Sequence, residues 1–547
     1  MSILSGPRPT DREKVRKPDV AQQTTSSPRT GRSAFFVAIG ILCSRMFGLV
    51  RQRVFAHYFG LTSSADAFTA GFRIPQFLVN LFGEGSLSAS FIPVYAALVA
   101  RGERKAADRV AGAVFSLLAL AVTVLVVACM LATPLLIDAI APGFKGETRL
   151  LTINIVRVLF PGIGLMVMSA WCLGVLNSHH KFLISYTAPV VWNIAMIVTL
   201  LVFGRRGTEL PRLAVLLAWG SVAGNLLMFV VQLPAVWAVA PGIRPVVDVA
   251  STHVQTVVRN FGPVLLSRGV VQLSSYIDQM IATWLPIGAP AAMGNAQTLA
   301  ILPVSLFGMS LSAAELPAMS GAMGIDPAGY EVVRRRLDAG LRQIAFFVVP
   351  SAMAFAALGD VLAAALFETG RFRHGDVLIV WGILAGSAVG LMASTLGRLY
   401  SSTYYALRDT RTPLNYAIVR VALTTVLGLL CAFPLPRLLG IAQIWGTAGL
   451  TASAGVAGWV EMLLLRRTMN ARIGATGLPA SYVAKLWTSA AAAAAVAWAV
   501  KRSLPALHPI VVAILVLGPY GVVFFGAAFA LRVPEVAAAI RRLRRLG

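Results

Sequence analysis

Long apolar runs alternate with short polar breaks along nearly the whole chain. A helix needs about 20 apolar residues to cross the hydrocarbon core of a bilayer. By that measure the pattern predicts spans near 34–58, 66–99, 110–140, 150–177, 182–204, 212–240, 259–286, 292–323, 339–368, 377–405, 413–435, 440–466, 482–503 and 509–532. The breaks are rich in Pro, Gly, Arg and Lys. The expected fold is therefore an all-α polytopic membrane protein with about 14 transmembrane helices.

Composition agrees. Of the 547 residues 57% are hydrophobic and only 13% charged, with a mean hydropathy of +0.76. A soluble chain carries about twice that share of charge. The net charge is +25, but it forms no basic domain, so nucleic acid is not an expected partner. It sits instead in loops and at the two ends. Arg101 to Arg109, Arg334 to Arg336, Arg408/Arg411, Arg466/Arg467/Arg472 and Arg541 to Arg545 fall on one side of an even-numbered topology. The positive-inside rule then places both termini in the cytoplasm, with the loop from Arg205 to Arg212 as an exception. Cys43, Cys129, Cys172 and Cys431 lie singly in apolar segments and read as buried free thiols.

A short motif recurs. Ser86-Leu87-Ser88-Ala89 with Pro93 matches Ser310-Leu311-Ser312-Ala313 with Pro317 at the same offset, 224 residues on and six spans later. Two parallel six-helix lobes plus two C-terminal helices account for it, an arrangement that sets a transporter's substrate site between the halves. The expected divisions are a disordered basic tail at 1–33, an N-lobe at 34–240 and a cytoplasmic linker at 241–258. A C-lobe at 259–468, the last two helices at 469–532 and a basic cytoplasmic tail at 533–547 complete the chain.

Ionisable side chains at membrane depth cost about 2.5–3.5 kcal/mol on insertion scales, so they face a wet cavity or a partner. Arg45, Arg51 and Arg53 lie in the first span, and Asp66, Arg73 and Glu84 in the second. A guanidinium never loses its charge and forks onto phosphate, so an arginine-lined cavity suits a pyrophosphate-bearing anion. Snorkelling to the interface, or pairing with Asp66, accounts for Arg51 and Arg53 equally well. Glu84 stands between two glycines in mid-span, which favours a functional or pairing role. Arg268 and Asp278 lie in the seventh span and Glu315 in the eighth. The Asp278 carboxylate offers hard oxygens for a coupling sodium ion or proton. Asn193, Tyr404 and Tyr405 can hydrogen-bond sugars but more often bridge helices. No phosphate-binding loop, catalytic constellation or metal cluster stands out, so neither enzyme chemistry nor a cofactor is expected.

The stretch from Ser44 through Arg45, Gly48 and Arg51, then Asp66-Ala67-Phe68, Arg73-Ile74-Pro75, Gly83-Glu84-Gly85-Ser86 and Phe91-Ile92-Pro93, resembles the MurJ (MviN) family of the MOP exporter superfamily. The likeness continues through Ala141-Pro142-Gly143-Phe144, Phe160-Pro161, Ala188-Pro189 and Asp409-Thr410-Arg411-Thr412-Pro413, so it covers roughly residues 35–535 in order. It implies two six-helix lobes, a cationic cavity and alternating access. It implies a flippase for lipid II, the undecaprenyl-pyrophosphate-linked disaccharide-pentapeptide of peptidoglycan synthesis, in the bacterial cytoplasmic membrane. Family cavity arginines fall on Arg45 and Arg51, and acidic positions on Asp66 and Glu84.

Two positions depart from the family. Val79-Asn80 stands where an arginine pair is familiar, and Asn295-Ala296-Gln297-Thr298 where an arginine lies among tyrosines. The cavity is thus expected to be less cationic, with Arg53, Arg73 or Arg268 as compensating charges. Sodium, protons or the membrane potential would drive the cycle. The alternatives are an exporter of another polyprenyl-pyrophosphate-linked glycan, and a non-transporting scaffold whose basic tail recruits cell-wall synthesis enzymes.

Overall fold

The computed structural model describes residues 28–82, 87, 90–248, 250–261, 276–322 and 328–536. Among these residues no strand forms, and one isolated bridge joins Thr369 to Phe372. The first lobe is built from α1 (Pro28–Phe59), α2 (Ser63–Phe82), α3 (Ile92–Ala100), α4 (Arg104–Leu131), α5 (Thr133–Ile140), α6 (Gly146–Ser178), α7 (Phe182–Gly204) and α8 (Leu210–Val239). The second holds α9 (Ile277–Ala282), α10 (Ala289–Pro303), α11 (Ser310–Ala322), α12 (Ala328–Phe367), α13 (His374–Ala406), α14 (Arg411–Ala432), α15 (Pro434–Leu438) and α16 (Gly446–Ile473). Two more helices follow, α17 (Ala480–Ser503) and α18 (Pro509–Ala530).

Eleven helices among the described residues are long and apolar enough to cross a membrane. They coincide with the third to sixth and the eighth to fourteenth expected spans. The first two expected spans are the arginine-bearing α1 and α2. Residues 262–275 of the seventh lie outside the described residues, so a count of fourteen is not established. Of the expected tails at 1–33 and 533–547, residues 1–27 and 537–547 lie outside them too, while α1 begins at Pro28, ahead of the expected 34. A proline suits that place, because the first turn of a helix has no use for its amide hydrogen.

The pairing of helices repeats between lobes. In the first, α2 packs on α6, α6 on α8, α7 on α8 and α1 on α7; in the second, α10 and α11 pack on α13, α13 on α16, α14 on α16 and α9 on α14. That correspondence is the pseudo-symmetry expected from the Ser-Leu-Ser-Ala repeat, although Ser86, Ser88 and Ala89 of its first copy lie outside the described residues. Helices α13 and α16 pack closely: a Cβ on Gly390 would lie 2.3 Å from the Gly455 Cα. Small residues let membrane helices approach this far, since lipid supplies no hydrophobic drive to press them together. Helices α17 and α18 pack on each other and on α12. Leu131, Leu135, Leu438, Val522 and Phe529 are strongly exposed, as an apolar solvent permits and water penalises.

Between α13 and α14 the chain turns on Asp409. Its carboxylate accepts the Arg411 and Thr412 amides, both at 3.0 Å, and lies 2.6 Å from Arg472 Nη1 on α16. Burial would raise this carboxyl, but the Thr412 hydrogen bonds and the Arg472 charge outweigh it and hold the group at about 2. Glu315 pairs with Arg336 at 3.2 Å, tying α11 to α12, and the Tyr404 hydroxyl donates to the Leu465 carbonyl, tying α13 to α16.

Candidate functional site

A cavity of about 400 Å³ opens between the lobes, walled by α1, α2, α7 and α10. Arg51 and Arg73 line it, with Gln52, Gln76, Asn80, Gln297 and Thr298 as the polar wall and Phe55, Phe68, Phe72 and Tyr276 as the aromatic one. Arg51 lies over the Trp192 ring at 4.6 Å, with its Nη1 3.7 Å from Met196 Sδ. Arg73 donates to Gln297 Oε1 at 2.7 Å across the lobe boundary. Gln52 does the same to Asn295 Oδ1 at 2.7 Å. Both cavity guanidiniums are thus held by neutral or aromatic groups. A π face and an amide oxygen orient a guanidinium without cancelling its charge.

Arg53 takes another course. Two residues from Arg51, it is turned about 200° around the helix. It donates to the Leu366 carbonyl at 3.0 Å and to the Ala365 carbonyl, in the last turn of α12. A cation is favoured there by the negative end of the helix dipole. His57 Nδ1 lies 2.8 Å from Thr369 Oγ1, and the Arg371 amide donates to the His57 carbonyl at 2.9 Å. Asp66, 2% exposed, accepts from the Gly288 and Ala291 amides at 2.6 and 2.9 Å. It thereby satisfies donors that the first turn of α10 leaves unpaired. Gly288 holds a φ of +95° at that junction, a conformation that glycine adopts at little cost. The Gly143 amide donates to Thr283 Oγ1 at 3.1 Å. These bonds all join one lobe to the other, and they gather at the end of the bundle where α1 ends and α10 begins.

Arg45 is exposed and does not line the cavity. It stands about 9 Å of helix rise from Arg51. Glu84 and Arg268 lie outside the described residues. Asp278 lines a second cavity of about 290 Å³ in the second lobe, with Gln279, Arg398 and Arg420. Its charge is felt most from Arg420 and then from Arg73. Its Oδ1 has no hydrogen-bond partner among the described residues, nor has Gln279 Oε1. Gln297 and Ile301 line both cavities. No group of His, Cys, Asp and Glu that could hold a metal ion occurs among the described residues.

Sequence reasoning found Arg51 and Arg73 because charge in an apolar run is conspicuous. It noted Asn80, Gln297 and Thr298 only as departures from a family pattern. It missed Trp192, Gln52, Gln76 and Tyr276, whose residue types are common in membrane helices. Only proximity, across 141 residues from Arg51 to Trp192, makes them a wall.

The family model described as lipid II flippase MurJ matches residues 55–525. The lipid II flippase MurJ of Burkholderia cenocepacia is 32% identical over 431 residues, 78% of this chain and 80% of that one. A probable lipid II flippase MurJ of Rhizobium tropici is 29% identical over 444 residues, 80% of each. A solved lipid II flippase MurJ in an inward closed conformation superposes with a TM-score of 0.72 at 21% identity, over 91% of this chain and 99% of that one. An inward-facing multidrug resistance MATE transporter of the MOP superfamily follows the same fold with a TM-score of 0.63 at 16% identity, over 80% of this chain and 98% of the other.

Proposed function

The chain belongs to the MurJ family of lipid II flippases, and from that premise we propose that it carries lipid II across the cytoplasmic membrane, with Arg51 and Arg73 holding the pyrophosphate. The observation that carries this assignment of residues is the pair of cavity guanidiniums whose partners are neutral. A pyrophosphate supplies a countercharge that these neutral partners do not, and each charge-assisted bond to it is worth about 1.5–3 kcal/mol. The amides of Gln76, Asn80 and Gln297 suit the hydroxyls and amides of the disaccharide. Arg45, towards the N-terminal end of α1, sits where an anion would be met first.

With both termini in the cytoplasm, as the distribution of arginines favours, the bonded end of the bundle is the outer one. The cavity is then shut from outside by Arg53, His57 and Asp66. Release of the headgroup requires those inter-lobe bonds to break and the lobes to rock. Arg51 and Arg53 share one rigid helix, so ligand held by the first is mechanically linked to the latch made by the second. The lipid tail stays in the bilayer throughout.

Asp278 is our candidate for coupling. Arg420 and Arg73 act on it with positive charge, which opposes a proton and a sodium ion alike, so either would bind as the lobes move those arginines away. The membrane potential adds about 2.3 kcal/mol per charge per 100 mV.

Complementation of a bacterial strain depleted of its own lipid II flippase tests the assignment. The chain should restore growth, and Arg51→Ala at equal membrane level should not. A well-inserted parent chain that fails to rescue would move the substrate to another polyprenyl-linked glycan.

A further inference from the structure

The second cavity holds a guanidinium that makes no hydrogen bond or ion pair among the described residues. Arg398 on α13 and Arg420 on α14 both line it, beside Ser387, Ser394 and Thr451. Arg420 is committed, its Nε lying 3.3 Å from Glu461 Oε2 on α16. Arg398 is not. It feels the charges of Arg420 and Glu461, yet among the described residues it makes no hydrogen bond or ion pair. Its side chain is exposed, although about 12 Å of helix separates it from the end of α13. Among the described residues that line it, two guanidiniums, Arg398 and Arg420, share the cavity with one carboxylate, Asp278.

The two cavities adjoin through Gln297 and Ile301. Gln297 is also the acceptor that holds Arg73. A headgroup seated on Arg51 and Arg73 therefore reaches the second cavity past the Gln297 and Ile301 side chains. A five-residue peptide extends to about 17 Å, so its far end can lie in the second cavity while the pyrophosphate stays in the first. A free guanidinium forks onto the two oxygens of a carboxylate, and a peptide ends in one.

We propose that the C-lobe cavity is a subsite for the carboxylate-bearing peptide end of the headgroup, with Arg398 as its recognising cation. The inference rests on the lipid II assignment and divides that headgroup between the lobes, pyrophosphate to the first and peptide to the second. Each lobe then holds part of one cargo, so a headgroup lacking its peptide engages only half of the protein.

The test titrates the full-length protein in lipid nanodiscs with three probes: lipid II, lipid II with its peptide carboxylates amidated, and undecaprenyl pyrophosphate. The parent chain should bind amidated lipid II about tenfold more weakly than lipid II. Arg398→Gln should show the same loss for lipid II and keep its affinity for undecaprenyl pyrophosphate, which doubles as the control for folding; Arg398→Lys should recover part of the loss. Equal affinity of the parent chain for the amidated and natural lipids overturns the subsite, and this comparison needs no variant. So does a folded Arg398→Gln protein that loses nothing, or that loses both lipids equally. A parent chain that binds undecaprenyl pyrophosphate but gains nothing from the peptide overturns the subsite while leaving the pyrophosphate site standing. Binding of none of the three overturns the lipid II assignment and the subsite with it.

Discussion

In the first lobe Arg51 rests on the Trp192 ring and Arg73 on the Gln297 amide, whereas in the second Arg420 meets the Glu461 carboxylate. The lobes repeat one helix pairing, yet these three arginines are held in two different ways. A guanidinium kept in place by neutral groups is oriented but still hungry for an anion. A guanidinium given a carboxylate is a strut. Presence of an arginine at membrane depth therefore says little about binding; the identity of its partner separates the two roles.

The largest effect expected from breaking this contrast is at Arg51. Arg51→Ala should lower lipid II binding by about ten- to a hundredfold, the worth of one charge-assisted bond, read by titration in nanodiscs. Arg51→Lys should recover only part of it, because an ammonium cannot fork.

Next comes conversion of the first lobe into the likeness of the second. Gln297→Glu would give Arg73 an internal carboxylate at the present 2.7 Å contact. Lipid II affinity should fall about tenfold with thermal stability unchanged or raised. Unchanged affinity would sever the link between neutral partners and binding.

The reverse change probes the strut. Glu461→Gln takes the carboxylate away from Arg420, and the expected outcome is a melting temperature several degrees lower in detergent, since stripping one member from a part-buried ion pair is destabilising. Glu315→Gln should do little, within about 1 kcal/mol, because its partner Arg336 is well exposed.

The smallest effect is in pH. The folded Asp409 carboxyl lies at about 2, below its ordinary 3.8. Its contribution to stability is therefore complete above about pH 4 and fades as pH falls through 2. Asp409→Asn should remove that dependence from a melting curve taken between those limits.

Much of the fold was legible in the sequence. Long apolar runs can satisfy their backbone in lipid only as helices, so eleven spans fell where the runs are. The depth of Arg51, Arg53 and Arg73 was legible for the same reason. What each one faces was not. Arg53 grips carbonyls 312 and 313 residues away, and Asp66 takes amides 222 and 225 residues away; local periodicity carries no trace of either. Arg398 gives no such signal either, because a lone arginine in an apolar run looks the same whether or not a carboxylate awaits it. Neutral residues around the cavity, such as Gln76 on its wall and Trp192 beneath Arg51, gave no chemical signal at all.

Transport itself is the most direct readout of the two cavity guanidiniums. Lipid II movement would be measured in proteoliposomes holding equal amounts of the parent chain and of the Arg51→Ala/Arg73→Ala double variant, with a probe that reports only lipid exposed on the outer face. The parent should move lipid II and the double variant should fall to the rate of empty vesicles. A double variant, folded and equally inserted, that moves lipid II at the parent's rate would contradict the claim that these two guanidiniums hold the cargo.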